Sequence, residues 1–224
     1  MAGIRGALLG LLLVFGTPTR GMAEAASVAG TRNPTIFIRV YDYADVPKGI
    51  WTWAVRQAGE IFRRAGVETT WMRFTGPGTE AVERKHTLAL ADAPGLKLRI
   101  LPRSAAYAPG VTEDTTGYAL VPAEFGKAAY AAVFYDRVVL AAQVSVWGEP
   151  EEMQGEILAH VMAHELGHLL LGSNCHSRTG IMRAGWRWQD LRPVDAGLFH
   201  FTSAQAEIIR SQAWAGVKAG QDPH

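Results

Sequence analysis

The sequence predicts an α+β domain, a mixed β-sheet covered by helices, with one long helix leading into an irregular C-terminal subdomain and a closing helix. Three observations carry that expectation. Strand-like alternation and helix-like periodicity follow each other in the order strand, helix, strands, long helix, irregular loop, helix. The stretch ending at Leu171 is apolar on nearly all sides, which marks a buried helix rather than a surface one. No shift in composition marks a second domain, and 224 residues suit one domain.

The first residues have the pattern of a signal peptide. Arg5 supplies the positive flank, and Gly6 to Gly16 is an apolar run too short to span a bilayer. Ala23-Glu24-Ala25 then supplies the small-x-small cleavage pattern, so residues 1–25 are expected to be removed. Residues 26–224 are left as one domain with a core over about 34–215. The expected destination is the periplasm or the medium, with no stable membrane insertion after cleavage.

Thr35 to Tyr41 alternates apolar and other residues and reads as the first strand. Ile50, Ala54, Ala58, Ile61 and Ala65 recur at steps of three and four, a helix with one buried face that Gly66 ends. A second strand follows near Val67 to Phe74, and Gly76-Pro77-Gly78 breaks the chain. Leu96 to Leu101 and Gly117 to Val121 are short strands closed by Pro102 and Pro122, and Ala131 to Val144 reads as β-prone around Val133–Tyr135 and Val138–Leu140. Glu149-Pro150-Glu151 opens the long helix, since proline suits the first turn and acidic residues complement the positive helix end. Gly172 is its expected stop. The closing helix begins near Thr202-Ser203 and carries Ile208, Ile209 and Trp214, with a frayed tail expected after Gly216.

Charge is balanced at a net +1, and no concentrated basic face is visible, which argues against nucleic acid as a partner. Cys175 is the only cysteine, so no internal disulfide can form. Stability must come from core packing or a bound metal. Nothing in the sequence reports an oligomeric state.

Residues 164–168 read His-Glu-Leu-Gly-His. Positions i and i+4 share one helix face, so two imidazoles there can grip one Zn²⁺. Glu165 flanks the metal and can take a proton from water activated by it, which is the physical content of an HExxH motif. The neighbours Val161, Met162, Ala163, Leu166, Leu169, Leu170 and Leu171 predict that all three groups are buried. Burying them without a partner is costly, and a metal removes that cost. Candidates for a third protein ligand are His176, which a turn at Gly172 would swing back, and Cys175, Glu207, Asp190 and Asp195. His160, one turn before His164, reads as a core histidine or one supporting the ligands.

His164 to Met182 (HELGHLLLGSNCHSRTGIM) resembles the metzincin clan of zinc peptidases, and HELGH with His176-Ser177 is similar to matrixin catalytic domains. Phe201 to Gln212 resembles their closing helix. The resemblance implies a single zincin-like domain, with His164, His168 and His176 as ligands of Zn²⁺ and Glu165 as general base. Gly172 would be the turn, and Met182 the methionine beneath the metal. It further implies peptide or protein substrates, paired in extended form on the strand Gly117–Val121. Spacing departs from the family: its glycine lies three and its third histidine six residues past the second ligand, whereas here Gly172 and His176 lie four and eight past His168. Ala184 stands where some members carry an oxyanion-stabilising tyrosine.

The leading expectation is therefore an exported zinc endopeptidase, with Trp186 and Trp188 as candidate pocket walls. Two alternatives stay open. One is a zinc-binding module without catalysis; the other is a hydrolase of another clan with Glu207 as third ligand.

Overall fold

The computed structural model describes residues 32–89, 95–102, 115–121, 129–144, 148–185 and 199–219. The expected signal peptide, Trp186, Trp188, Asp190 and Asp195 lie outside these residues.

The strands β1 (Thr35–Asp42), β2 (Glu68–Thr75), β3 (Leu96–Leu101), β4 (Gly117–Leu120) and β5 (Tyr130–Phe134) form one sheet in the order β2-β1-β3-β5-β4. The first four in that order are mutually parallel, and β4 runs antiparallel to β5 at the edge. The sheet is mixed, as expected. Alternation sends Ile36, Ile38 and Val40 of β1, with Leu98 and Ile100 of β3, to one face, where all are buried.

That face is covered by α1 (Lys48–Arg64) and the long α4 (Pro150–Leu171). Helix α1 buries Ile50, Ala54, Ala58, Ile61 and Phe62, the stripe its periodicity requires. Asp42, at 1% exposure, shapes the entry to α1 by accepting the N–H groups of Ala44 and Val46, each at 3.0 Å, and pairing with Arg73. Helix α4 has Pro150 in its first turn with Glu151 and Glu152, and it ends at Gly172 in the left-handed conformation, φ 62°. Its small residues permit close packing: a Cβ on Gly155 would lie 2.7 Å from the ring of Trp53.

Helix α5 (Ser203–Ala219) closes the domain. Arg210 ties it to α1 by donating to the carbonyl of Ala65 at 3.0 Å. Its buried residues are Ala206, Ile209 and Ala213, whereas Ile208 and Trp214 are exposed. The helix continues past Gly216 to Ala219, where the sequence suggested fraying.

Two elements differ from expectation. Val138–Leu140 is not strand but part of α3 (Tyr135–Gln143), which buries Val138, Ala141 and Ala142 at helical spacing. Helix α2 (Thr79–Ala89) was not anticipated and lies on the other sheet face, where its Glu83 meets Arg99 and Lys97 of β3. No helix among the described residues is long and apolar enough to cross a membrane.

Candidate metal centre

Helix α4 carries His164, Glu165 and His168 into the core, at 7%, 6% and 4% exposure. The burial expected from their neighbours is present. One turn apart, the two imidazoles meet edge to face with centroids 4.8 Å apart.

Their tautomers follow from the backbone around them. His164 donates from Nδ1 to the carbonyl of Ile181 at 2.7 Å, and His168 donates from Nδ1 to the carbonyl of Ser173 at 2.8 Å. A carbonyl only accepts, so each neutral ring has its hydrogen on Nδ1 and its lone pair on Nε2. These two Nε2 atoms face each other at 3.1 Å. Two lone pairs at that distance repel unless a cation lies between them. A proton is disfavoured, because burial pushes His164 down to about 4 despite its carbonyl partner, and burial likewise lowers His168. A metal cation fits: two nitrogens bound tetrahedrally to one zinc ion lie about 3.3 Å apart.

The third histidine joins them. His176 stacks on His164 at 5.3 Å between centroids and stands edge-on to His168 at 4.9 Å. Ligand atoms of His164, His168 and His176 all lie within 4.8 Å of one another, so the three can hold a metal ion. His176 is the exposed member and forms the solvent side of the group.

The loop after the helix bonds back to it. Beyond Gly172, Ser173 donates its N–H to the carbonyl of His168 at 3.2 Å while its own carbonyl holds the His168 ring. The Ser173 hydroxyl accepts from the N–H of Cys175 at 3.0 Å, which brings the chain round to His176. Ser177 then donates to the carbonyl of Met182 at 2.8 Å. The Ile181-Met182 pair thus holds two histidines through consecutive carbonyls, His164 directly and His176 through its neighbour. Gly180, at φ 77°, lets the chain pass close to the carbonyl of His200, which accepts from Ile181 at 3.0 Å. Met182 is fully buried against α4, where a Cβ on Gly167 would lie 2.6 Å from its sulfur.

The Glu165 side chain reaches the edge strand, with Gly117 of β4 packed against it. Burial pushes its carboxyl up to about 8. The remaining candidates stand apart. His160 is buried, donates from Nδ1 to the carbonyl of Glu156 and packs edge-on against Phe199, in keeping with a core histidine. Cys175 is an exposed free thiol, Glu207 is exposed on α5, and neither belongs to the three-histidine group. Ala184 is exposed beyond Met182. The supporting carbonyls of Ile181 and Ser173 had no sequence signal, because any residue supplies a carbonyl.

No protein-family model matches the chain, and no curated protein matches it in sequence.

Proposed function

We propose that the chain is an exported zinc-dependent endopeptidase. His164, His168 and His176 are the zinc ligands, Glu165 is the general base, Gly172 provides the turn between ligands, and Met182 is the floor beneath the site. The observation that carries the reading is the pair of imidazole lone pairs confronting each other at 3.1 Å beside a buried carboxylate. The likeness of His164 to Met182 to matrixin sites supports it, as does the position of β4 at the end of the sheet.

His164, His168 and His176 would hold zinc, which would acidify a bound water toward neutrality and polarise a carbonyl. The chain supplies the rest. Glu165 takes the proton of the attacking water and hands it to the leaving amine. An extended peptide pairs with β4, whose Gly117 end runs past Glu165, and this brings the scissile bond beside the carboxylate. Residues 1–25 direct export, so the mature enzyme meets its peptide or protein substrates in the periplasm or the medium.

Metal analysis of purified protein, with a peptide-library digest run with and without chelator, tests this reading. Zinc in stoichiometric amount and chelator-sensitive cleavage are expected. Protein that carries no transition metal and gains none on soaking would refute it.

A further inference from the structure

β4 passes α4 at Gly117 more closely than any side chain permits. A Cβ built on Gly117 would lie 2.8 Å from Cγ and 2.9 Å from Oε1 of Glu165, and 2.8 Å from the carbonyl oxygen of Ala132. Comfortable carbon contacts begin near about 3.5 Å. The backbone itself does not demand glycine, since Gly117 lies outside the left-handed region. Glycine within a strand is unfavourable unless another group approaches closely. Space is therefore the reason for it.

Neither wall of this contact can easily withdraw. The strand is pinned to β5 through Gly117↔Val133 to Leu120↔Tyr130, and Phe134 donates to the carbonyl of Thr116 at 2.9 Å just before it. Helix α4 is buried on nearly all sides and wedged against Trp53 at Gly155. The movable part is the Glu165 carboxylate.

We propose that Gly117 is a positioning residue for Glu165: its missing side chain leaves the carboxylate room beside the three-histidine group, and its backbone is the wall that limits where the carboxylate stands. The consequence for turnover rests on the peptidase reading above; the packing relation does not.

The test is a double-mutant cycle on the zinc-loaded chain, with Gly117→Ala, Glu165→Ala and the double variant, read by thermal unfolding and by kinetics on a cleaved peptide. Gly117→Ala is expected to lower Tm at least about twice as much with Glu165 present as with alanine there, the signature of two groups in contact. It should retain zinc as wild type does, and kcat should fall about 10–100-fold with KM changed less than about threefold, because a misplaced base costs rate rather than binding. Gly49→Ala is the control, since nothing lies within 4 Å of a Cβ there; it should keep both Tm and kcat. Equal Tm losses in the two backgrounds would overturn the proposal and assign the glycine to the Ala132 carbonyl. A raised KM at unchanged kcat would also overturn it, because the strand rather than the carboxylate would have moved. If Gly117→Ala fails to fold while the double variant folds, the proposal stands; if both fail, it falls. Coupled Tm losses in a chain that cleaves no peptide would refute the peptidase reading and leave the packing relation intact.

Discussion

Glu83 and Glu165 are hidden from solvent to nearly the same degree, at 4% and 6% exposure, on opposite faces of one sheet. Their surroundings differ in kind. Glu83 sits on α2 among donors: Tyr43 donates to one oxygen, Arg99 to the other at 2.8 Å, and Lys97 lies 3.5 Å away. Burial alone would raise its carboxyl, but the bonds from Arg99 and Tyr43 and the two cations outweigh that and hold it below the usual range. Glu165 has only burial acting on it, and it rises to about 8. A saturated carboxylate of the first kind is fixed and holds structure together. One of the second kind titrates nearer neutrality, and it lies on the same helix as His164 and His168, two of three histidines that could hold a metal.

The sharpest way to break this contrast is to neutralise each carboxylate in turn. Glu165→Gln should cut peptide hydrolysis by about 10²–10⁴-fold, the range for a lost general base, without loss of zinc. Glu83→Gln should leave kcat/KM within about twofold, because Glu83 is far from the reacting groups. Steady-state kinetics with metal analysis on both variants decides the matter. Comparable losses of activity would end the distinction.

A chemical cluster should also be separable from the fold in a way that the Glu83 cluster is not. His176 is exposed, so His176→Ala should weaken zinc binding by at least about 10²-fold while changing metal-free stability by less than about 0.5 kcal/mol. His168 is buried and bonded to Ser173, and His168→Ala should lose zinc and also about 1–3 kcal/mol of metal-free stability. Competition with a chromogenic chelator and urea unfolding give the two quantities. Unimpaired zinc retention by the His176 variant would remove it from the ligand set.

The same contrast explains what the sequence revealed. His164, Glu165 and His168 lie on a helix written in apolar residues, so α4 and its His-Glu-His spacing were legible, as were β1, α1 and Gly172. Helix α2 was not, because the buried positions among its described side chains are Thr79 and Glu83, both polar, and the Glu83 partners Tyr43 and Arg99 are distant in sequence. A periodicity that counts only apolar residues cannot register them. Helix α3 escaped for the opposite reason: Val138 and Val139 favour strands locally, yet burying Val138, Ala141 and Ala142 together requires a helix. The carbonyls that orient His164 and His168 depend on a turn 17 residues away and on the cap beyond Gly172, contacts of backbone alone.

Stability gives the next measure of the contrast. Removing the Glu83 charge leaves Arg99 and Lys97 facing a neutral amide, and should cost about 2–4 kcal/mol, moderated because both cations reach solvent. In the metal-free protein Glu165→Gln should have the opposite sign at neutral pH, since it removes a carboxyl that burial disfavours as the anion. Urea unfolding of the two variants at pH 7 compares them directly, and a loss in both would show that Glu165 also serves the fold.

The pH dependence of metal-free stability is the finest test, because the two carboxylates should tilt it in opposite directions. Glu165 has a folded value raised from 4.5 to about 8, so between those values the unfolded chain releases the proton while the folded chain keeps it. Its contribution is full below 4.5 and declines as pH rises toward 8. Glu83 has a folded value below the ordinary one, so its contribution is present above the unfolded pKa and is lost as pH falls through the folded one. The histidines superimpose their own slope: His164 and His168 are lowered by burial, which makes stability rise with pH through the acidic range. Subtracting each Gln variant's curve from the wild-type curve cancels that background. The Glu165 difference should then decline across the window above pH 4.5, and the Glu83 difference should collapse only at lower pH. Parallel wild-type and Glu165→Gln curves would mean that Glu165 has found a partner in solution, and the two carboxylates would no longer differ in kind.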